Sequence, residues 1–326
     1  MLIRELKKRV SDGASFENRR DEDVDFYEIL NQIQGVRVLK NEPMSQHTTF
    51  RIGGPADFFV SVKDCNARAR VSAACREEEI PLIILGNGSN VLVSDAGIRG
   101  VVAAFERPEH PIRILEKTDE GQRIEIPAGA LLSAAARAIA QEGLEGFEFA
   151  AGIPGTLGGA VLMNAGAYGG EIKDCIESAN SFADGTMVSR EAKDLKLSYR
   201  HSIFMENGET VVFATFFFKY GNKEEIFKKI DELNARRREK QPLEYPSAGS
   251  TFKRPEGNFA GKLIQDAGLA GVAVGGAMVS PKHCGFIVNC GGATAADVKN
   301  LMDEVIAKVE KEFQVRLEPE VRLLGF

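Results

Sequence analysis

Apolar and polar positions along this chain fall into two textures, and the change comes near residue 50. Residues 1–44 read as a polar helical extension, charged at Glu5, Lys7, Lys8, Arg9, Arg19, Arg20, Asp21 and Glu22. Beyond it, residues 56–62 alternate as a half-buried strand does, and residues 66–79 read as a helix. The short apolar runs 80–85 and 91–93 predict buried strands on either side of a glycine turn. Further strands are expected at 101–105, 112–115, 123–126, 178–182 and 210–219. An alanine-rich helix over 131–143 stops at its glycine, and a helix over 223–239 is broken by Gln241-Pro242. Last come a helix over 262–267, a strand over 285–289, a helix over 295–313 and an alternating strand over 315–324. In that last strand Val321 and Leu323 are expected on one face, Glu320 and Arg322 on the other. The pattern is α+β. It divides into the extension (1–44), a strand-rich domain (45–225), a smaller mixed domain (226–314) and a C-terminal strand (315–326).

Composition narrows the class of partner. A chain of 326 residues has length for about two domains. Its formal net charge of −6 gives no global attraction for nucleic acid or an anionic membrane. A phosphate-bearing ligand would need a local basic pocket. The five cysteines form no CxxC pair, which reads as reduced thiols in a cytoplasmic protein. The charged start lacks the apolar core of a signal peptide. The apolar stretch 267–280 falls short of the roughly 18 residues of a membrane helix. His47, His110, His201 and His283 show no ligand spacing, so no metal is expected, and nothing marks an obligate protein partner.

Two glycine-rich segments carry the first chemical signal. Gly86-Asn87-Gly88-Ser89-Asn90 begins like a dinucleotide fingerprint, but Val91 stands where the third glycine belongs and a strand follows, so a Rossmann turn is excluded. Successive main-chain N–H groups in such a turn can form a nest for phosphate oxygens, with Ser89 and Asn90 as side-chain donors. An ordinary Asn-Gly turn satisfies the same residues. The second segment has seven glycines between residues 152 and 170. Seven glycines lose much chain entropy on ordering, and the stretch is also apolar through Ile153, Pro154, Leu157, Val161 and Met163. An open apolar backbone suits a flat heterocycle and its pyrophosphate. A structural crossover loop is the competing account.

Three polar residues stand out beyond these loops. Arg200, in Tyr199-Arg200-His201-Ser202, has the fork geometry to clamp a carboxylate, or is a satisfied structural arginine. Ser250 lies in a small-residue turn followed by Lys253 and Arg254, as an active-site hydroxyl or a turn serine. No Gly-x-Ser-x-Gly elbow or neighbouring histidine supports a hydrolase triad. Glu320, in Leu317-Glu318-Pro319-Glu320-Val321-Arg322, is a candidate buried acid with a raised pKa, or an exposed strand residue.

Taken in order, Thr49-Phe-Arg-Ile-Gly-Gly, Leu85-Gly-Asn-Gly-Ser-Asn, Gly152-Ile-Pro-Gly-Thr-Leu-Gly-Gly-Ala, Tyr199-Arg, Gly249-Ser-Thr-Phe and Leu317-Glu-Pro-Glu-Val-Arg resemble the UDP-N-acetylenolpyruvoylglucosamine reductase family. The resemblance covers nearly everything beyond the N-terminal extension. It implies an FAD-binding domain of the vanillyl-alcohol oxidase type, with two α+β subdomains, followed by a smaller α+β substrate-binding domain. It implies non-covalent FAD held by Gly86, Asn87, Gly88, Ser89, Asn90, Ile153, Pro154, Gly155, Thr156, Gly158, Gly159 and Ala160. It implies NADPH as hydride donor and a UDP-sugar enolpyruvate as substrate, reduced for peptidoglycan synthesis. Arg200 would grip the enolpyruvyl carboxylate, Glu320 would polarise it, and Ser250 would supply a proton. Tyr199, Lys253, Arg254 and Lys262 are the implied substrate contacts. The tyrosine-bearing insertion of some members is missing, so the chain resembles the shorter subclass. Position 254 carries arginine where other members can have a neutral amide. An FAD-dependent oxidase of a hydroxylated or sugar substrate is the alternative; neither glycine segment offers the histidine or cysteine to which many such oxidases attach flavin.

Overall fold

The computed structural model describes residues 25–183 and 185–326. It opens with a short helix, α1 (Phe26–Asn31), capped by the Asp25 carboxylate, which accepts from the Tyr27 N–H at 3.1 Å. Strands β1 (Val36–Pro43) and β2 (Pro55–Val62) then pair antiparallel. After helix α2 (Cys65–Glu77) come β3 (Leu82–Ile84), β4 (Val91–Val93) and β5 (Ile98–Phe105). The first sheet runs β1-β2-β5-β3, with β5 parallel to both neighbours. A central parallel strand is covered on both faces, and Val101, Val102 and Ala103 are accordingly all buried.

This corrects the helical extension expected over 1–44. Residues 1–24 lie outside the described residues. Of the rest, only Phe26–Asn31 is α-helical, and Val36–Pro43 is an edge strand. Val38 is the one fully buried side chain of β1, and Arg37 and Lys40 face solvent. Charge on an edge strand discourages pairing with another chain, and it also hides the alternation.

The second unit is a five-stranded antiparallel sheet in the order β11-β10-β12-β7-β6. Its strands are β6 (Arg113–Lys117), β7 (Gly121–Pro127), β10 (Ile176–Ala183), β11 (Thr186–Glu191) and β12 (Thr210–Lys219). Between β7 and β10 lie α3 (Leu132–Gln141), α4 (Leu157–Leu162) and the two-residue pair β8 (Gly166–Ala167) and β9 (Gly170–Glu171). Helix α5 (Ile203–Asn207) precedes β12. Phe147 anchors the core, with its ring 5.4 Å from those of Phe149 and Phe218 and 5.7 Å from that of Phe216.

Helix α6 (Lys223–Lys240) was expected to open the second domain at 226. It packs instead on the five-stranded unit, burying Ile226 and Ile230 against Ala140 of α3. The chain leaves that unit only after α6, where Gln241-Pro242 ends the helix.

The third unit contains α7 (Ala260–Asp266), the antiparallel strands β13 (Ala273–Val274), β14 (Ala277–Val279) and β15 (Ile287–Asn289), and α8 (Ala295–Phe313). Helix α8 is the clearest case of pattern dictating structure. Val298, Leu301, Met302, Val305 and Val309 recur at helical spacing and are all buried, and Thr294 with Asp297 forms a capping box. The chain then returns to the first unit, where β16 (Arg322–Leu324) pairs parallel with β4. Only these three residues of 315–324 are strand. The Glu320 and Val321 N–H groups both donate to the Thr251 carbonyl, at 2.8 and 3.4 Å, and the chain bends there. The bend breaks the expected alternation: Val321 is buried at 3% while Leu323 is 36% exposed.

Three contacts lock this unit onto the first. Thr49 Oγ1 donates to the Ser247 carbonyl at 2.7 Å, and Asn289 Nδ2 to that of Phe50 at 3.1 Å. The Asp95 carboxylate accepts from the Ala295 and Ala296 N–H groups, at 2.8 and 3.0 Å, at the positive end of α8.

Candidate active site

The turn at 86–90 leaves β3 of the first sheet and enters β4, which pairs with β16 of the C-terminal return, so strand pairing holds both of its ends. Glycine is demanded twice. Gly88 sits at φ +60°, and a Cβ there would lie 2.1 Å from the His47 carbonyl oxygen. A Cβ on Gly86 would lie 2.5 Å from Thr156 Oγ1, which also shows how tightly the two glycine segments abut. Asn87 Nδ2 donates to the Pro154 carbonyl at 2.5 Å and joins them directly. Among the described residues, the main-chain N–H groups of 86, 87, 88, 89 and 90 donate to no protein acceptor. Five successive open donors between two strands are free to meet an anion, as in a main-chain nest. Beside the turn opens a cavity of about 470 Å³, walled by Leu85, Gly86, Asn87, Phe59, Thr49 and Arg107 among others.

Arg200 and Glu320 meet across 120 residues of sequence, Nε donating to Oε1 at 2.5 Å. Their side chains are 23% and 10% exposed. Arg200 is the second central residue of a tight turn closed by mutual Ser198–His201 main-chain bonds, and its φ of +56° is uncommon for a side chain other than glycine. Its guanidinium lies 5.1 Å from the Tyr199 ring centroid. Burial pushes the Glu320 carboxyl above the ordinary glutamate range, opposed by the Arg200 charge and hydrogen bond and by Lys253. The desolvation wins, so Glu320 holds a proton more readily than a surface glutamate.

Ser250 comes to the same place through its backbone. Thr251, next to it, donates its N–H to the Gly285 carbonyl and accepts from the Glu320 N–H, both at 2.8 Å. Ser250 itself is exposed, and its hydroxyl has no hydrogen bond among the described residues. The 86–90 turn joins this centre through Asn90. Its Nδ2 donates to the Glu320 carbonyl at 3.1 Å, and its own carbonyl accepts from the Arg322 N–H at 3.0 Å.

The expected substrate contacts divide. Tyr199 Oη accepts from the Arg254 N–H at 3.1 Å, and the Arg254 guanidinium stacks 4.1 Å from the Phe259 ring centroid. Lys253 Nζ lies 3.1 Å from Glu318. Lys262 is held by Asp266 one helical turn on. Such exposed pairs are worth only about 0.3–0.5 kcal/mol, so the contact leaves Lys262 available to a phosphate. Sequence reasoning overlooked Arg107, which donates to Asn87 Oδ1 at 2.5 Å and to the Gly129 carbonyl at 3.0 Å, and so holds the turn. Nothing in Phe-Glu-Arg-Pro marked it. Its place opposite Asn87 follows from the parallel pairing of β3 with β5.

Comparison with known proteins gives two family matches. Residues 56–189 match the FAD binding domain family, and residues 241–324 match the family described as UDP-N-acetylenolpyruvoylglucosamine reductase, C-terminal domain. The chain is 56% identical over 299 residues to the UDP-N-acetylenolpyruvoylglucosamine reductase of Lachnoclostridium phytofermentans, covering 91% of this chain and 96% of that one. The enzyme of that name from Caldanaerobacter subterraneus is 50% identical over 290 residues, 89% of this chain and 94% of the relative. The crystal structure of the Thermus caldophilus reductase superimposes with a TM-score of 0.74 at 35% identity, covering 89% of this chain and 99% of that one. The architecture is accordingly α+β, an FAD-binding domain followed by a smaller domain, and the chain belongs to the UDP-N-acetylenolpyruvoylglucosamine reductase family.

Proposed function

We propose that this chain reduces the enolpyruvyl group of UDP-N-acetylglucosamine enolpyruvate to give UDP-N-acetylmuramate, using FAD and NADPH, with Arg200, Ser250 and Glu320 as its reducing centre. One observation carries the residue roles. A partly buried Arg–Glu pair, joined from remote segments, lies beside a serine whose hydroxyl has no hydrogen bond among the described residues, and is tied through Asn90 to the 86–90 turn.

The residues fit the cofactor. The N–H groups of 86–90 take the pyrophosphate oxygens, with Ser89 and Asn90 flanking them. Arg107 keeps Asn87 in place, and Pro154 and Thr156 bring the second glycine segment against the turn, while Ala160 is buried in the core of the five-stranded unit. When bound, FAD supplies the two-electron link between NADPH and the substrate double bond.

The chain's own groups handle the charge and the proton. Arg200 spends Nε on Glu320, which leaves its terminal nitrogens for the substrate carboxylate. Addition of hydride to the terminal carbon sends negative charge onto that carboxylate. Arg200 balances it, and Glu320, whose pKa burial raises, can donate a hydrogen bond to it in its protonated form. Ser250 delivers a proton to the neighbouring carbon, a downhill transfer because that electron-rich carbon is a stronger base than the serine alkoxide left behind. Tyr199, Lys253, Arg254 and Lys262 would hold the UDP phosphates and sugar. A nucleotide sugar and NADPH as reactants fit a cytoplasmic site of action.

The test is anaerobic spectroscopy of the purified holoenzyme. NADPH should bleach the flavin band, and UDP-N-acetylglucosamine enolpyruvate should restore it. A band that bleaches and stays bleached with that substrate overturns the substrate assignment.

A further inference from the structure

Arg68 is the one arginine of the described residues whose guanidinium is buried with two nitrogens unpartnered. The residue is 6% exposed, and neither Nε nor Nη1 has a hydrogen-bond acceptor. Only Nη2 is used, donating to Thr210 Oγ1 at 2.6 Å. The Phe182 ring lies to one side, its centroid 5.9 Å from the guanidinium carbon. Burial pushes the Arg68 pKa down, the direction expected of a cation without a counter-charge. Burying an arginine without a carboxylate or carbonyl partner is costly, and arginine does not shed its proton to escape that cost.

A cavity of about 140 Å³ opens against this side chain, between α2, the β10–β11 hairpin and the turn that joins α5 to β12. Arg68, Ser72 and Arg76 lie along one face of α2, one helical turn apart, and all three line it. The acidic group in the described wall is Glu209. Its carboxylate is already committed to Arg190 and to the Ser181 hydroxyl, and the Arg190 hydrogen bond holds its pKa below the usual range. The cavity shares no lining residue with the one beside the cofactor turn.

We propose that this cavity binds a small oxyanion of the phosphate class, with Arg68 as its principal donor and Ser72 as a second. The ion completes the hydrogen bonding of the buried guanidinium and joins α2 of the first unit to the hairpin of the second. The space beside the guanidinium suits a single tetrahedral oxyanion.

The test is thermal unfolding of the FAD-loaded enzyme in increasing inorganic phosphate, against sodium chloride at matched ionic strength. The wild type should show a saturable rise in Tm of roughly 2 °C or more, as expected of a ligand bound only by the folded state. Phosphate also stabilises proteins weakly and without saturation through exclusion from their surface, so variants locate the effect. Arg68→Met should lose the saturable part. Ser72→Glu places a carboxylate four residues from Arg68 on the same helix face, so it should raise Tm without phosphate and abolish the phosphate response. If Arg68→Met fails to fold, Ser72→Glu decides alone. A wild-type response no larger than that to chloride, or a saturable response retained in Ser72→Glu, overturns the proposal.

Discussion

The turn at 86–90 and the Arg200–Ser250–Glu320 centre are joined through Asn90 but are built in opposite ways. The turn comes from one continuous stretch. Its shape is set by Gly86 and Gly88, and the groups it offers are main-chain donors that any sequence compatible with the shape would supply. The centre draws one residue from a tight turn after β11, one from the loop before α7 and one from the C-terminal return. Its binding groups are side chains, and their alignment depends on packing between units. The two should therefore fail differently. Damage to the turn lowers cofactor occupancy and leaves loaded enzyme competent. Damage to the centre slows turnover and leaves the cofactor bound.

Ser250→Ala offers the sharpest break. Losing a general acid typically costs about 10²–10⁴ in rate, and turnover should fall by that factor with FAD content unchanged. Reduction of bound flavin by NADPH should keep its wild-type rate, because the proton is needed only after hydride reaches the substrate. Equal slowing of both half-reactions would make Ser250 a binding residue. Glu320→Gln comes next, at about 10²–10³, the usual loss when one group stabilising developing negative charge is weakened. Its amide oxygen can still accept from Arg200 Nε, and the Asn90 bond to the main-chain carbonyl is untouched. FAD content should hold. A parallel fall in FAD would show that the comparison draws its boundary in the wrong place.

Gly88→Ala tests the other side. A methyl group at φ +60°, 2.1 Å from a carbonyl oxygen, must displace the His47 backbone or the turn itself. Backbone strain of this kind costs about 1–3 kcal/mol, which is roughly a tenfold or greater loss in FAD affinity if it falls on the bound geometry. The measurement is FAD release on dilution or dialysis, together with turnover per bound flavin. A normal affinity with reduced turnover per flavin would contradict the separation of roles.

The difference in construction also explains what was legible in the sequence. The turn could be located because glycines at fixed places, between two apolar runs, are needed whatever lies elsewhere. Helix α8 was legible for a similar reason, since its period of buried valines and leucines is local. The Arg200–Glu320 pair spans 120 residues, and no spacing rule joins them; only their likeness to a known family's segments raised the pairing. Strand β1 was misread because it alternates charge with modest hydrophobes, and its register skips Asn41, which has φ +52°. The boundary expected at 226 failed because helix α6 exposes most of its length, and its apolar spacing does not say which neighbour Ile226 and Ile230 will meet. The bend at Val321 depends on the Thr251 carbonyl, seventy residues upstream, so an alternation rule applied within 315–324 could not contain it.

The smallest expected effect concerns stability and has a definite sign. The Glu320 pKa is raised in the folded protein, chiefly by burial. In the unfolded chain Glu320 loses its proton within the ordinary glutamate range. Below that range both states are protonated, and the carboxyl contributes its full favourable share. As pH rises through the raised folded value, the unfolded state has shed the proton that the folded state was holding, and that share is lost. Stability of the wild type relative to Glu320→Gln should therefore decline with rising pH across this window and be flat on either side. Urea unfolding of both proteins from pH 4 to pH 8, with FAD saturating throughout, measures the difference directly. A wild-type advantage that grows with pH would mean that the Arg200 attraction outweighs burial. In that case Glu320 would meet the substrate as a charged carboxylate, and its part in polarising the enolpyruvyl group would pass to Arg200 alone.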